Sequence, residues 1–203
     1  MDHLTLMIIR HAEKPKKAWP GPGLTIEGES DGKSLVIRGW QRSGAWSALF
    51  GAKLGGIDFP QPTAIYAANP NPSPGAVPAD AAETNKESSQ RPFETVTPLA
   101  AGLNLVPATT WAVGQEGSLV KEITALSGVV LICWEHKRII SHILPKITGS
   151  QALPGLPSKW SGKRFDVVLR FDREKPEGAW SFRQLFPQLL SGDSRTSVDQ
   201  GPE

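Results

Sequence analysis

The sequence predicts an α/β fold: a three-layer sandwich with a largely parallel central sheet flanked by helices, plus a C-terminal antiparallel hairpin. Three observations carry this. Two continuous apolar runs, Leu4 to Ile9 and Val129 to Trp134, have the length and composition of buried strands. Stretches of helical periodicity alternate with the apolar runs, which argues for helices packed on a mostly parallel sheet. Near the end, a valine-rich segment from Phe165 to Phe171 and a second from Ala179 to Phe182 are separated by the turn-like Asp172 to Gly178, the pattern of a hairpin.

The elements follow in order. Residues 4–9 form the first strand, and residues 12–34 are rich in Pro, Gly, Lys and Glu and read as loop. Leu35-Val36-Ile37 leads into a helix on which Trp40, Gly44, Ala48 and Ala52 recur every fourth residue, with Ala45 and Leu49 beside them. Gly55-Gly56 is placed to stop it. Thr63 to Ala68 is a strand. The irregular segment 69–87 is an inserted, proline-rich loop. From Ser89 a helix presents Phe93, Val96, Thr97 and Ala100 on one face, with Glu94 facing solvent and Gly102 as the stop. Leu105-Val106 reads as a short strand. Leu119, Val120, Ile123 and Leu126 mark a further helix. Ile139, Ile140, Ile143, Leu144 and Ile147 form an apolar helical face interrupted by Pro145. Residues 1–190 make one domain, and 191–203 a polar, mobile C-terminal tail.

The 203 residues, 39% hydrophobic and 21% charged, suit a soluble domain with a sizeable core. A net charge of +2 carries no footprint of nucleic acid or of a polybasic membrane surface, and the tryptophans lack basic interleaving. No apolar stretch approaches the ~20 residues that span a bilayer. The N-terminal segment lacks the pattern of a secretory leader, so a cytoplasmic location is expected. A single cysteine, Cys133, lies within an apolar strand and reads as packing. No Cys/His cluster has metal-ligand spacing, so no metal and no cofactor are expected.

Both strong strands end in a histidine: Arg10-His11 after the first, Glu135-His136 after the second. In α/β sheets ligands bind beyond the carboxyl ends of the strands. A neutral imidazole can attack phosphorus, and the adjacent guanidinium fork suits two phosphoryl oxygens.

Four blocks, in order, resemble the histidine phosphatase superfamily with its phosphoglycerate mutase-like fold. They are Ile8-Ile9-Arg10-His11-Ala12-Glu13, with Ala12 where glycine is usual, and Leu35 to Gly44 around Arg38-Gly39-Trp40-Gln41. They continue with Ile65-Tyr66-Ala67-Ala68 followed, after about twenty inserted residues, by Ser88-Ser89-Gln90-Arg91-Pro92-Phe93-Glu94-Thr95. The last is Ile132-Cys133-Trp134-Glu135-His136. The resemblance spans residues 4–150. It implies that His11 is the nucleophile and forms a phosphohistidine, and that Arg10, Arg91 and His136 complete a phosphate pocket. Arg91 at a helix start would act with exposed backbone N–H groups on an anion. His136 would donate to a nonbridging oxygen as charge develops. Lys137 and Arg138 add potential that could steer anions. Either Glu13 or Glu135 would be the general acid; without one, leaving groups of low pKa are expected. Trp19, in the loop after the nucleophile, could line the pocket.

The resulting expectation is a metal-independent phosphatase acting on phosphomonoesters or phosphohistidine, with a phosphorylated small molecule or phosphoprotein as partner. The alternatives are a phosphoglycerate mutase-type phosphotransferase and a non-catalytic module that binds phosphorylated ligands.

Overall fold

The computed structural model describes residues 3–73 and 89–199. Five strands form one sheet: β1 (Leu4–Arg10), β2 (Ala64–Ala67), β3 (Gly128–Trp134), β4 (Val168–Arg173) and β5 (Ser181–Leu185), in the spatial order β2-β3-β1-β4-β5. β1 runs parallel to β3, and β3 parallel to β2, whereas β4 and β5 are antiparallel to their neighbours. The sheet is therefore mixed, with a parallel core and an antiparallel side made by the expected hairpin.

The layers follow from period-two alternation along the strands. Leu4, Leu6 and Ile8 of β1 and Val130, Ile132 and Trp134 of β3 face one way, toward α3 (Glu116–Ile123) and α4. Here α4 is the helical stretch made of His136–Arg138, a π-helical segment Ile139–Ile143, and Leu144–Thr148. Met7, Ile9, Leu131 and Cys133 face the other way, toward α1 (Ile37–Trp46), its π-helical extension Ser47–Gly51, and α2 (Arg91–Leu103). A strand apolar on both sides can be satisfied only between two helical layers. Each fully buried aliphatic side chain contributes about 1.5–3 kcal/mol.

Several expectations are corrected. The buried stripe of α1 is Gly39, Arg42, Ser43 and Trp46, while Gly44 and Ala48 are exposed. Two polar side chains lie inward because each is satisfied there: Ser43 donates to the carbonyls of Glu94 and Thr95, and Arg42 meets two carboxylates. Glu94, expected in solvent, is buried, taking hydrogen bonds from the Ser34 hydroxyl and the Leu35 N–H. Asn104, not Gly102, ends α2 in a left-handed conformation, which asparagine tolerates better than most residues. Leu105-Val106 forms no strand, and Val106 is largely exposed. Pro145 falls in the first turn of the last α-helical segment, where its missing N–H breaks no bond, and the preceding turns take π form.

Of the polar segment 191–203, the described residues 191–199 pack against the domain rather than trailing from it. Val198 is fully buried in the α3/α4 core, and Arg164 donates to the carbonyls of Ser194, Thr196 and Ser197. Of the 69–87 loop, residues 69–73 are irregular, and the remainder lies outside the described residues.

Candidate active site

β1 and β3 are in register, Arg10 beside Trp134, so both chains leave the sheet at one level. The His11 N–H donates to the Trp134 carbonyl at 3.1 Å, carrying the ladder one step past β1. This register brings His11 and His136 to one edge. The Ala12 N–H donates to Thr95 Oγ1 at 2.8 Å, which pins the turn to α2.

His11 is almost wholly buried. Its Nδ1 lies 2.8 Å from the Ala12 carbonyl, which can only accept, so Nδ1 carries the proton and the Nε2 lone pair is left for chemistry. Burial, and then the Arg10 charge, hold its pKa well below the ordinary histidine value against the opposing pull of that carbonyl. The ring is therefore neutral at neutral pH, as a nucleophile must be.

Arg10 is buried as well. Its Nη1 donates to the carbonyls of Ser161 at 3.2 Å and Arg164 at 2.9 Å, and its guanidinium carbon lies 3.8 Å over the Phe165 ring. Its Nε and Nη2 have no hydrogen-bond partner among the described residues. Such donors are costly to bury unless something fills them. Burial lowers the Arg10 pKa, Glu135 and Glu13 oppose the shift, and the guanidinium keeps its charge at neutral pH.

Arg91 begins α2. It donates from Nε to the Ser34 carbonyl at 3.3 Å and from Nη2 to the Gly32 carbonyl, and its charge reaches His11. His136 begins α4. Its Nδ1 is 2.7 Å from Glu135 Oε1, a close contact rather than a linear hydrogen bond. Burial lowers the His136 pKa, with Glu135 opposing and Arg10 adding to the shift. Four of the groups expected from the sequence, Arg10, His11, Arg91 and His136, thus act on one another electrostatically.

The two candidate acids are both engaged by other groups of the fold. Glu13, buried to 1% exposure, takes hydrogen bonds from Arg42 Nε at 3.0 Å and Nη2 at 2.7 Å, with Arg38 Nε at 3.3 Å. Arg42 in turn donates to Asp193 at 2.8 and 3.0 Å. Burial works against the Arg42 charge, but Asp193 and Glu13 outweigh it and hold its pKa above the ordinary range. Glu13 is thus the buried anchor of Arg42 and Arg38. For Glu135, burial raises the pKa, but His136 and the N–H groups of Arg138 and Lys137 outweigh it and bring it down to about 2. Its Oε2 caps α4 through the Arg138 N–H at 2.9 Å. Glu135 is a cap and a partner for His136, not a proton donor.

Arg138 does not steer anions: it is paired with the buried Glu116 at 2.7 Å, which also takes the Trp134 indole N–H at 3.0 Å. Lys137 is exposed. Trp19 sits edge-on to Phe165, ring centres 5.0 Å apart, and Phe165 lies 6.0 Å from His11, so the tryptophan joins the wall of the site. The sequence reading missed Phe165, Arg42 and Asp193. The first was hidden as a strand residue, and the others are long-range partners that no local pattern announces. Among the described residues no three or more His, Cys, Asp or Glu side chains converge as a metal site requires. None of their helices is long and apolar enough to cross a membrane.

No family model matches this sequence, and no curated protein matches it. Among solved structures, the native mycobacterial glucosyl-3-phosphoglycerate phosphatase is similar, with a TM-score of 0.52 at 13% identity over 91% of this chain and 98% of that one. At that identity the likeness concerns the fold alone: this chain shares the layered α/β architecture of that phosphatase, a mixed sheet with a parallel core flanked by helices.

Proposed function

We propose that this chain is a metal-independent phosphatase working through a phosphohistidine on His11. The observation that carries this is the pairing of a neutral, tautomer-fixed His11 with the two unpartnered, buried donors of Arg10. Nε2 attacks phosphorus, the bond to the leaving group breaks, and the equatorial oxygens rest on Arg10, with Arg91 adding positive potential and His136 at the same edge of the sheet. Water then attacks the phosphohistidine, the P–N electron pair returns to Nε2, and the water's proton leaves with the phosphate. The similar solved structure is that of a phosphatase, which supports the reading. With Glu13 clamped by Arg42 and Arg38 and Glu135 capping α4, leaving groups that depart without a proton are favoured. The natural substrate is a phosphorylated small molecule or phosphoprotein of that kind.

The test is intact-protein mass after brief mixing with acetyl phosphate and an alkaline quench. A gain of one phosphoryl group, lost in acid and absent in His11→Ala, is expected. No gain, with phosphorylated ligands still bound, would make the chain a phospho-ligand binding module instead.

A further inference from the structure

The site carries more positive charge than one phosphoryl group calls for. Arg10 and Arg91 already supply two guanidinium charges at that position, with His136 beside them. Lys14, three residues past His11, is half-buried; burial lowers its pKa, with Arg91, Lys16 and Arg10 adding to the shift and Glu135 opposing it. For Lys16 the lowering comes from burial and then from Arg10, Lys137 and Lys163. Geometry fixes the second lysine. Lys16 and Trp19 exchange backbone hydrogen bonds at 2.9 and 3.3 Å, and the Trp19 ring is seated on Phe165, the ring beneath Arg10. The Lys16 ammonium lies 3.6 Å from where a side chain on Gly162 would begin, next to the Ser161 carbonyl that holds Arg10. Like charges gathered this way oppose folding and are relieved only when an anion joins them.

A second observation concerns the leaving group. The two carboxyls nearest His11 in sequence and site are both engaged elsewhere: Glu13 is clamped by Arg42 and Arg38, and Glu135 caps α4 beside His136. An alkoxide cannot depart unprotonated at a useful rate, whereas a phosphate, with a relevant pKa of about 6, can.

Resting on the phosphatase reading above, we infer that the substrate is a phosphoanhydride, whose terminal phosphoryl group meets His11 and whose next phosphate is held by Lys14 and Lys16. His11 Nε2 forms the P–N bond, the bridging P–O bond breaks, and its electron pair leaves on the second phosphate, where the lysines neutralise the new charge. Water then releases the first phosphate as described. No proton donor, oxidant or further reactant is needed.

The experiment compares inorganic pyrophosphate, p-nitrophenyl phosphate and β-glycerophosphate on the full chain and on Lys14→Met/Lys16→Met. The second donor has a good leaving group without a second phosphate; the third has a poor one. Wild type should prefer pyrophosphate over p-nitrophenyl phosphate by about tenfold or more in kcat/KM, and the double variant should bring that ratio down by about tenfold. Lys16 is exposed, so Lys16→Met alone gives the same readout in part if the double variant folds poorly. An undiminished ratio in the variants overturns the inference. So does wild type that cleaves p-nitrophenyl phosphate or β-glycerophosphate as well as pyrophosphate, with His11 still phosphorylated. No phosphoryl adduct from any donor would overturn the phosphatase reading as well.

Discussion

Glu13 shows how a residue well placed in sequence can be engaged elsewhere by the fold. It lies two positions past the nucleophile, where an acid would be convenient, yet its carboxylate is clamped by Arg42 and Arg38. Removing one partner of a buried ion pair costs roughly 3–5 kcal/mol, because the other charge stays buried. Glu13→Gln should therefore lower Tm by about 6–15 °C for a domain of this size. It should also reduce kcat/KM by a similar factor for donors with good and with poor leaving groups. Loss of an acid would instead spare p-nitrophenyl phosphate and leave Tm unmoved. Arg10, His11, Arg91 and His136 were legible because each directly follows a strand or opens a helix, so local pattern alone set its place. Phe165, Arg42 and Asp193 were not, because their roles come from partners brought near only by the finished fold. Arg42 and Asp193 are 151 residues apart.

At the scale of elements, α1 makes the same point. Its spacing was read from small and apolar residues, but the buried side is the one where Arg42 and Ser43 find partners. Satisfied polar groups overrode the apolar pattern. Two glycines on this helix separate packing from propensity. A side chain on Gly39 would begin 2.5 Å from the Glu13 carbonyl and 3.0 Å from Leu35 Cβ, whereas Gly44 has open space. Gly44→Ala should stabilise by about 0.5–1 kcal/mol through helix propensity. Gly39→Ala should instead destabilise by about 1–3 kcal/mol and lower kcat, since the backbone it pushes on carries the nucleophile turn. Urea unfolding and steady-state rates on both variants check this; equal gains in stability would refute the close approach. The three parallel strands were legible to within a residue because a strand buried on both faces is simply apolar, whereas the hairpin strands β4 and β5 lie two to three residues further on than the sequence suggests. Helix ends were less so, because Asn104 and Pro145 act through backbone conformation rather than hydrophobicity.

For the whole molecule, the depressed histidines make stability depend on pH. The unfolded chain binds protons on His11 and His136 below about pH 6.5, while the folded chain keeps both neutral further down. Unfolding therefore takes up protons, and stability falls as pH drops through that range. For His11 alone the slope approaches about 1.4 kcal/mol per pH unit. The carboxylates with lowered pKa, such as Glu135 and Asp193, contribute above their unfolded pKa of about 4 and lose that contribution only at lower pH. Glu94, whose pKa burial raises, acts in the opposite direction as pH falls, so it is the difference between wild type and a histidine variant that isolates the histidine. Urea unfolding at several pH values should show a shallower dependence for His11→Gln than for wild type. Parallel curves would mean that His11 is not held neutral.

The pairing of Arg42 with both Glu13 and Asp193 also orders events during synthesis. A ribosome releases the nucleophile strand early, but β1 cannot take its place in the sheet until β3 and β4 have emerged on either side of it. The arginine that braces the His11 turn then waits for Asp193, which follows β5 in the chain. A nascent chain halted before that residue holds His11 and Arg10 but lacks half of the brace, so the pocket wall stays unlocked until all five strands have emerged.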